Sequence, residues 1–181
     1  MLLERNRLRA TRTRILSEKM VENVIMLGMK PFVPFPENGG IVGENCFFVD
    51  GNLTLNGNFV LGADHDSGYA MRSVGRTEVN GNLRVITDDI LCAYAEGGFS
   101  FNGQSLRMEG YGGIEAPGGV NITADSTTII TNVSSPIDST GDVYIDSDYL
   151  FLQTLMEEEL HPLAVWAGIN AYGDITVISD D

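Results

Sequence analysis

The stretch "VDGNLTLNGNFVLG", residues 49–62, contains two copies of one short pattern side by side. Each copy has Gly-Asn followed by alternating apolar residues, Leu53 and Leu55 in the first and Phe59 and Leu61 in the second. Apolar residues at every second position indicate a strand with one buried face. Glycine beside Asn or Asp supplies the backbone freedom of a tight turn. Each copy therefore predicts a turn followed by a strand of about 4–6 residues.

The pattern returns in looser form along the chain. The later copies are "GNLRVITD" (81–88), "GGVNITAD" (118–125), "GDVYIDSD" (141–148) and "GDITVISD" (173–180). Short strands cannot bury an apolar face alone, so we expect equivalent units to stack into a continuous core, as in β-helices and solenoids. The units are unevenly spaced, because the glycines that open them are Gly51, Gly81, Gly119, Gly141 and Gly173. This uneven spacing predicts irregular insertions, or strands that pair across chains.

The predicted fold class is mainly β, built from short-strand repeats. Two arrangements fit: a β-helix-like stack within one chain, or an intertwined trimer in which each chain contributes a strand to every layer. The alternative is an antiparallel β-sandwich or jelly roll, because turn signals at short intervals also suit that fold.

Charge divides the chain into two parts. The whole chain carries a formal net charge of −14. Residues 1–30 hold seven basic and three acidic residues, a net +4, and the rest holds four basic and 22 acidic residues, a net −18. An acidic body repels nucleic acid and anionic membranes, so only the basic arm suits nucleic acid. No run of 18 apolar residues is present, and no membrane partner is expected.

The basic segment, residues 1–29, is predicted to be an amphipathic helical arm. It has no glycine or proline before Gly28, and an apolar stripe recurs at helical spacing through Leu16, Met20 and Val24. Such a helix can pack on its own or a neighbouring subunit, lie at a membrane interface or contact nucleic acid; packing on protein is expected. The predicted partner contacts of the arm are Arg5, Arg7, Arg9, Arg12, Arg14, Leu16, Met20 and Val24.

A stiff linker and a second helical segment complete the domain organisation. Residues 30–44 carry three prolines and several glycines, which indicates an extended linker. The acidic β-rich body follows over 45–181. Within it, "LFLQTLMEEELHPLAVWA" (150–167) interrupts the β pattern, and Leu152, Leu155 and Met156 approximate a helical stripe. We therefore expect a helical insertion over about 150–167 that caps the β core or packs on another subunit. The chain then closes on a further copy of the repeat, whose strand is expected to pair with another chain.

One loop is the predicted partner surface of the body. The segment "GADHDSGYAMRS" (62–73) is rich in glycine and polar residues, and exposed loops on β scaffolds often carry contacts. The contact residues predicted there are Asp64, His65, Asp66, Tyr69 and Arg72. Asp64 and Asp66 have a spacing found in Ca²⁺ loops, but no glutamate follows at the twelfth position. A solvated loop without a metal is expected.

No catalytic, cofactor or metal site is predicted. The chain has two histidines, His65 and His161, and lacks the glycine-rich phosphate loop, the nucleophile-elbow motif and the dinucleotide fingerprint. Its two cysteines, Cys46 and Cys92, lie in apolar segments and are predicted to be buried free thiols, with a single bridge between them as the alternative.

The segments "GNLTLNGN", "VNGNLRV", "GGVNITAD" and "GDVYIDSD" resemble the Gly-Asn-rich repeats of tailed-bacteriophage fibres, spikes and attachment proteins. The resemblance implies a non-enzymatic virion structural protein, assembled in the host cytoplasm, often homotrimeric and joined to other virion proteins by its N-terminal segment. Because the chain is short compared with receptor-cleaving tailspikes, a short fibre, spike, adaptor or capsid-decoration role is favoured. A weaker resemblance is to self-assembling bacterial β-helical cytoskeletal scaffolds. A carbohydrate-binding module is the remaining alternative.

Overall fold

The computed structural model describes residues 41–42, 47–63, 68–88, 90–155 and 168–180. These residues form strands and turns, with no helix among them. The strands are β1 (Ile41–Val42), β2 (Phe47–Val49), β3 (Leu53–Asn56), β4 (Phe59–Ala63), β5 (Tyr69–Ser73), β6 (Thr77–Asn80), β7 (Leu83–Thr87), β8 (Leu91–Ala95), β9 (Phe99–Gly110), β10 (Gly112–Glu115), β11 (Val120–Thr131), β12 (Ile137–Ser139), β13 (Val143–Thr154), β14 (Ile169–Ala171) and β15 (Ile175–Ile178).

The described strands stack as a parallel β-solenoid. One sheet has nine strands, with the order β1-β4-β7-β9-β11-β13-β15 and with β3 and β6 alongside. The other has six strands, in the order β14-β12-β10-β8-β5-β2. Every pair among the described strands is parallel. The β-helix-like prediction is therefore confirmed, and the antiparallel sandwich or jelly roll is wrong.

The core consists of columns of apolar side chains that run through the stacked turns. In one column Leu55 aligns with Val79, Val79 with Phe101, Phe101 with Ile122, and Ile122 with Ile145. All five side chains are buried. Alternation along each short strand thus places one residue per turn in the same column, which is how units too small to bury a face alone form a core.

The turn glycines also form columns, which explains the uneven spacing in the sequence. Gly75 donates to the carbonyl of Gly51 at 2.8 Å and Gly97 to that of Gly75 at 3.0 Å, whereas Gly81 stacks on Gly57 at a different corner. Gly51 and Gly81 therefore belong to two columns, and their separation along the chain is not a repeat length.

The true repeat is the interval between residues that pair on successive turns. It runs from Leu53 to Thr77 and onward to Phe99, Val120 and Val143. These intervals are nearly equal, and only the last one, from Val143 to Ile175, is clearly longer. The additional length lies in the segment between β13 and β14, which overlaps the predicted insertion over about 150–167.

The asparagines of the Gly-Asn pairs join one turn to the next. The Asn52 side-chain oxygen accepts from the backbone N–H of Arg76 at 2.9 Å, and that of Asn58 accepts from Asn82 at 3.3 Å. Asn82 repeats the contact one turn further on, accepting from Ser105 at 2.9 Å. Because each side chain satisfies a backbone donor of the following turn, Gly-Asn is a stacking element as well as a turn signal.

Two predicted boundaries change. Residues 150–154, assigned to the helical insertion, are the last part of β13, and Ile41–Val42, assigned to the linker, form β1. Leu150 and Leu152 pair with Thr127 and Ile129 of β11 and pack against the core, so sheet pairing overrides the helical spacing of the leucines. The arm (1–29) and residues 156–167 of the insertion lie outside the described residues.

Candidate binding surface

The sequence-predicted contact residues are only in part among the described residues. Tyr69 and Arg72 lie in β5, and not in a loop as predicted. β5 pairs with β2 and β8, and Ala70 and Met71, between these two residues, are buried in the core. Asp64, His65 and Asp66 lie outside the described residues, as do the predicted contacts of the arm: Arg5, Arg7, Arg9, Arg12, Arg14, Leu16, Met20 and Val24.

Tyr69 and Arg72 belong to a larger surface on the outer face of the six-stranded sheet. Strand pairing aligns one outward side chain from each turn, in the order Phe48, Arg72, Tyr94, Glu115, Asp138 and Asn170. We call these six residues, together with Tyr69 beside Tyr94, the aromatic–carboxylate row. All are partly buried except Asn170, which is exposed. Parallel strands lie about 4.8 Å apart, so the row presents one group per strand spacing along the solenoid.

The first half of the row holds an arginine among aromatic rings. The Arg72 guanidinium carbon lies 5.2 Å from the ring centre of Phe48, 5.5 Å from that of Tyr94 and 5.8 Å from that of Tyr69. The two tyrosine rings are 5.1 Å apart and tilted by 51°. These distances are within the range of cation–π attraction. Among the described residues, the buried Arg72 Nε has no hydrogen-bond partner, whereas three aromatic rings lie close to the guanidinium.

The second half of the row holds two neighbouring carboxylates. Glu115 and Asp138 are paired residues on adjacent strands, and Asn170 donates to the Asp138 carboxylate at 3.3 Å. Burial, and then the charge of Asp138, raise the pKa of Glu115. Burial and then the charge of Glu115 raise the pKa of Tyr69. No basic side chain of the described residues forms an ion pair with either carboxylate. This half of the row therefore has negative charge that a cation would stabilise.

Aromatic faces next to carboxylates are groups that recognise organic cations such as guanidinium. Metal binding has less support here: within the described ranges, no cluster of three or more His, Cys, Asp and Glu side chains is arranged to hold a metal ion.

Cys92 is a buried free thiol, as predicted, and burial raises its pKa to about 12. Its thiol stays protonated at neutral pH and is not a nucleophile. Cys46 lies outside the described residues.

A second surface is the free edge of β15 at the last described turn. Ile175 and Val177 continue two core columns, pairing with Val143 and Ile145. They are nevertheless 49% and 45% exposed, whereas Val143 and Ile145 are buried. No described strand pairs with the outer edge of β15. Core-type side chains therefore reach the surface beside unpaired backbone groups.

Sequence reasoning missed five members of the aromatic–carboxylate row: Phe48, Tyr94, Glu115, Asp138 and Asn170. Each occupies the same place in its turn, but the six aligned residues are all of different types. Their common signal is their spacing of about one turn, and that spacing is visible only once the repeat is known.

Comparison with known proteins identifies no family for this chain. A scan against protein-family models and searches of curated proteins and of solved structures found no match. None of the described residues belongs to a helix with the length and apolarity needed to cross a membrane. The function is therefore inferred from the geometry and from the pattern of the repeats.

Proposed function

We propose that this protein is a non-enzymatic structural component of a tailed-phage virion: a short fibre, spike, adaptor or capsid decoration. In this proposal its N-terminal arm binds other virion proteins, and the acidic body forms a homotrimer. The proposed location is the virion, after assembly in the host cytoplasm.

The stacked parallel turns are the observation that carries the proposal. Each turn is joined to the next by backbone pairing, by the glycine columns and by Asn52, Asn58 and Asn82. A solenoid of this kind extends along one axis, because each turn contacts mainly its neighbours in the stack. Such a body suits a spacer or surface element, and the Gly-Asn units that build it are those that resemble phage fibre repeats.

The free edge of β15 supports association between chains. No described strand pairs with the outer edge of β15, and this edge lies beside the exposed Ile175 and Val177. It can accept a strand from another chain, giving main-chain hydrogen bonds and apolar contact together.

The test is incorporation into particles. In cells that produce the phage, the chain with all five arm arginines changed to glutamine, at positions 5, 7, 9, 12 and 14, is expected to be absent from purified virions, whereas the wild-type chain is present. A control set changes three basic residues of the body that lie outside the aromatic–carboxylate row, Arg76, Arg84 and Arg107, one at a time to glutamine and is expected to retain incorporation. Circular dichroism of each purified variant checks the β body. Normal incorporation of the arm variant would contradict anchoring by the arm.

A self-assembling cellular scaffold is the second candidate, and the free β15 edge favours it equally. The two candidates differ in what the purified protein does alone. Filaments that grow without other proteins support the scaffold, whereas a closed oligomer that enters particles supports the virion component.

A further inference from the structure

The arm and the body are strongly complementary in charge. Residues 1–30 carry a net +4 and the remaining residues a net −18. Five of the seven basic residues in 1–30 are arginines between positions 5 and 14. In the aromatic–carboxylate row of the described body, an arginine-binding cluster of aromatic rings continues into two carboxylates. An arginine-rich segment is the kind of ligand that such a surface binds.

Arg72 shows how this surface accommodates a guanidinium. Its side chain lies over Phe48, Tyr69 and Tyr94 at 5.2–5.8 Å. Glu115 and Asp138 continue the row without a basic partner among the described residues. Further arginines placed along the row would neutralise the pair and use the exposed parts of the tyrosine rings.

The arm can reach this surface within one chain. The linker residues 31–40 include three prolines, and an extended chain of that length spans about 31 Å. From the first turn to β10 the path is about three strand spacings, or about 14 Å, plus about 10 Å between the two sheets. A tether that reaches its site gives an effective concentration of about millimolar, which favours the chain's own arm over that of a second copy.

We propose that the arginine-rich segment 5–14 docks on the aromatic–carboxylate row of its own chain. Docking there holds the basic arm against the acidic body, and a partner that binds the arm must displace it from the row. The docking does not depend on which partner the arm serves, so it can hold or fail independently of the virion assignment.

Limited trypsin cleavage of the full chain at low ionic strength tests the docking, because trypsin cuts after the arm arginines only when they are released. The double variant Glu115→Gln, Asp138→Asn is expected to lose arm residues about tenfold faster than wild type, as followed by intact mass. The control Asp125→Asn, Asp148→Asn removes the same charge from exposed positions on β11 and β13 of the other sheet. The control is expected to lose arm residues at a rate within about twofold of the wild-type rate.

Three results would overturn the proposal. The first is an equal cleavage rate for the wild type and for the Glu115→Gln, Asp138→Asn variant. The second is an equal increase in the cleavage rate for the Asp125→Asn, Asp148→Asn control. The third is protection that disappears on dilution, which would place the arm on a second copy. A photo-crosslinking residue at Leu8 of the full chain gives a second measurement with the body unchanged. Crosslinks to β8, β10 or β12 in a species of one-chain mass support docking. Crosslinks confined to the nine-stranded sheet, or found only in two-chain species, count against it.

Discussion

At the scale of single residues, glycine is required here by close approach between turns. A Cβ added to Gly97 would lie 2.7 Å from the carbonyl carbon of Gly75 and 2.8 Å from the backbone N of Arg76. Backbone atoms cannot move aside as a flexible side chain can, so the stacked corner excludes any side chain. Gly51 is the first described glycine of the column that continues through Gly75 and Gly97. A Cβ added to Gly51 would have no described atom within 4 Å, but its φ of 151° is a backbone conformation that favours glycine.

The Gly97→Ala variant is expected to be destabilised by about 1–3 kcal/mol, because the turns must separate locally to admit the methyl group. Thermal unfolding measures this as a drop of roughly 2–12 °C. Gly168→Ala is the matched control, since its added Cβ would be 3.7 Å from the nearest atom, Leu152 Cβ. Equal melting temperatures for the two variants would mean that the corner does not pack as described.

At the scale of elements, each strand obtains its stability from the turns on either side. Ile145 of β13 lies between Ile122 and Val177 in one core column and is fully buried. Among the described strands, Ile175 of β15 pairs only with Val143, and its side chain is 49% exposed. An isoleucine side chain therefore contributes more to the free energy of unfolding when its strand lies between two turns than when its strand has one neighbouring turn.

Ile145→Ala is expected to cost about 2–5 kcal/mol, because it removes buried methyl groups and leaves a cavity between two turns. Ile175→Ala removes the same atoms from a half-exposed position and is expected to cost about 1 kcal/mol. Denaturant unfolding of the full chain compares the two midpoints. A larger loss at Ile175 would show that the last turn is covered more completely than the described residues indicate.

At the scale of the whole molecule, the solenoid has a distinct free edge at its last described turn. At the other end of the stack, Phe47, Leu53 and Leu55 of the first turn are buried. The apolar residues that remain exposed collect toward the last turns, and they include Tyr149, Tyr172, Ile175 and Val177. This asymmetry favours association through one end of the body.

A charge on that edge is expected to prevent association. Val177→Asp places a carboxylate beside the unpaired strand, which is how natural edge strands avoid pairing. Native mass spectrometry is expected to show an oligomer for wild type, proposed to be a trimer, and a monomer for the variant, with unchanged circular dichroism. Asn121→Asp adds the same charge away from the edge and is expected to keep the wild-type mass. A wild-type protein that is monomeric at all concentrations would refute association through β15.

The sequence by itself determined the strands of the Gly-Asn and Gly-Asp units and the tendency of these units to stack, because alternation and tight turns are local properties of the backbone and side chains. It did not determine β5 or the last part of β13, which were predicted as a loop and a helix, because those strands form through pairing with neighbouring turns. It could not determine which glycines share a column: Gly51 and Gly81 look equivalent in sequence, yet they pack at different corners. Nor could it show that Phe48, Arg72, Tyr94, Glu115 and Asp138 form one row, since their alignment depends on a turn length that differs from one turn to the next. Hydrogen bonding between turns fixes that alignment, and it brings together residues of different types that lie about one turn apart along the chain.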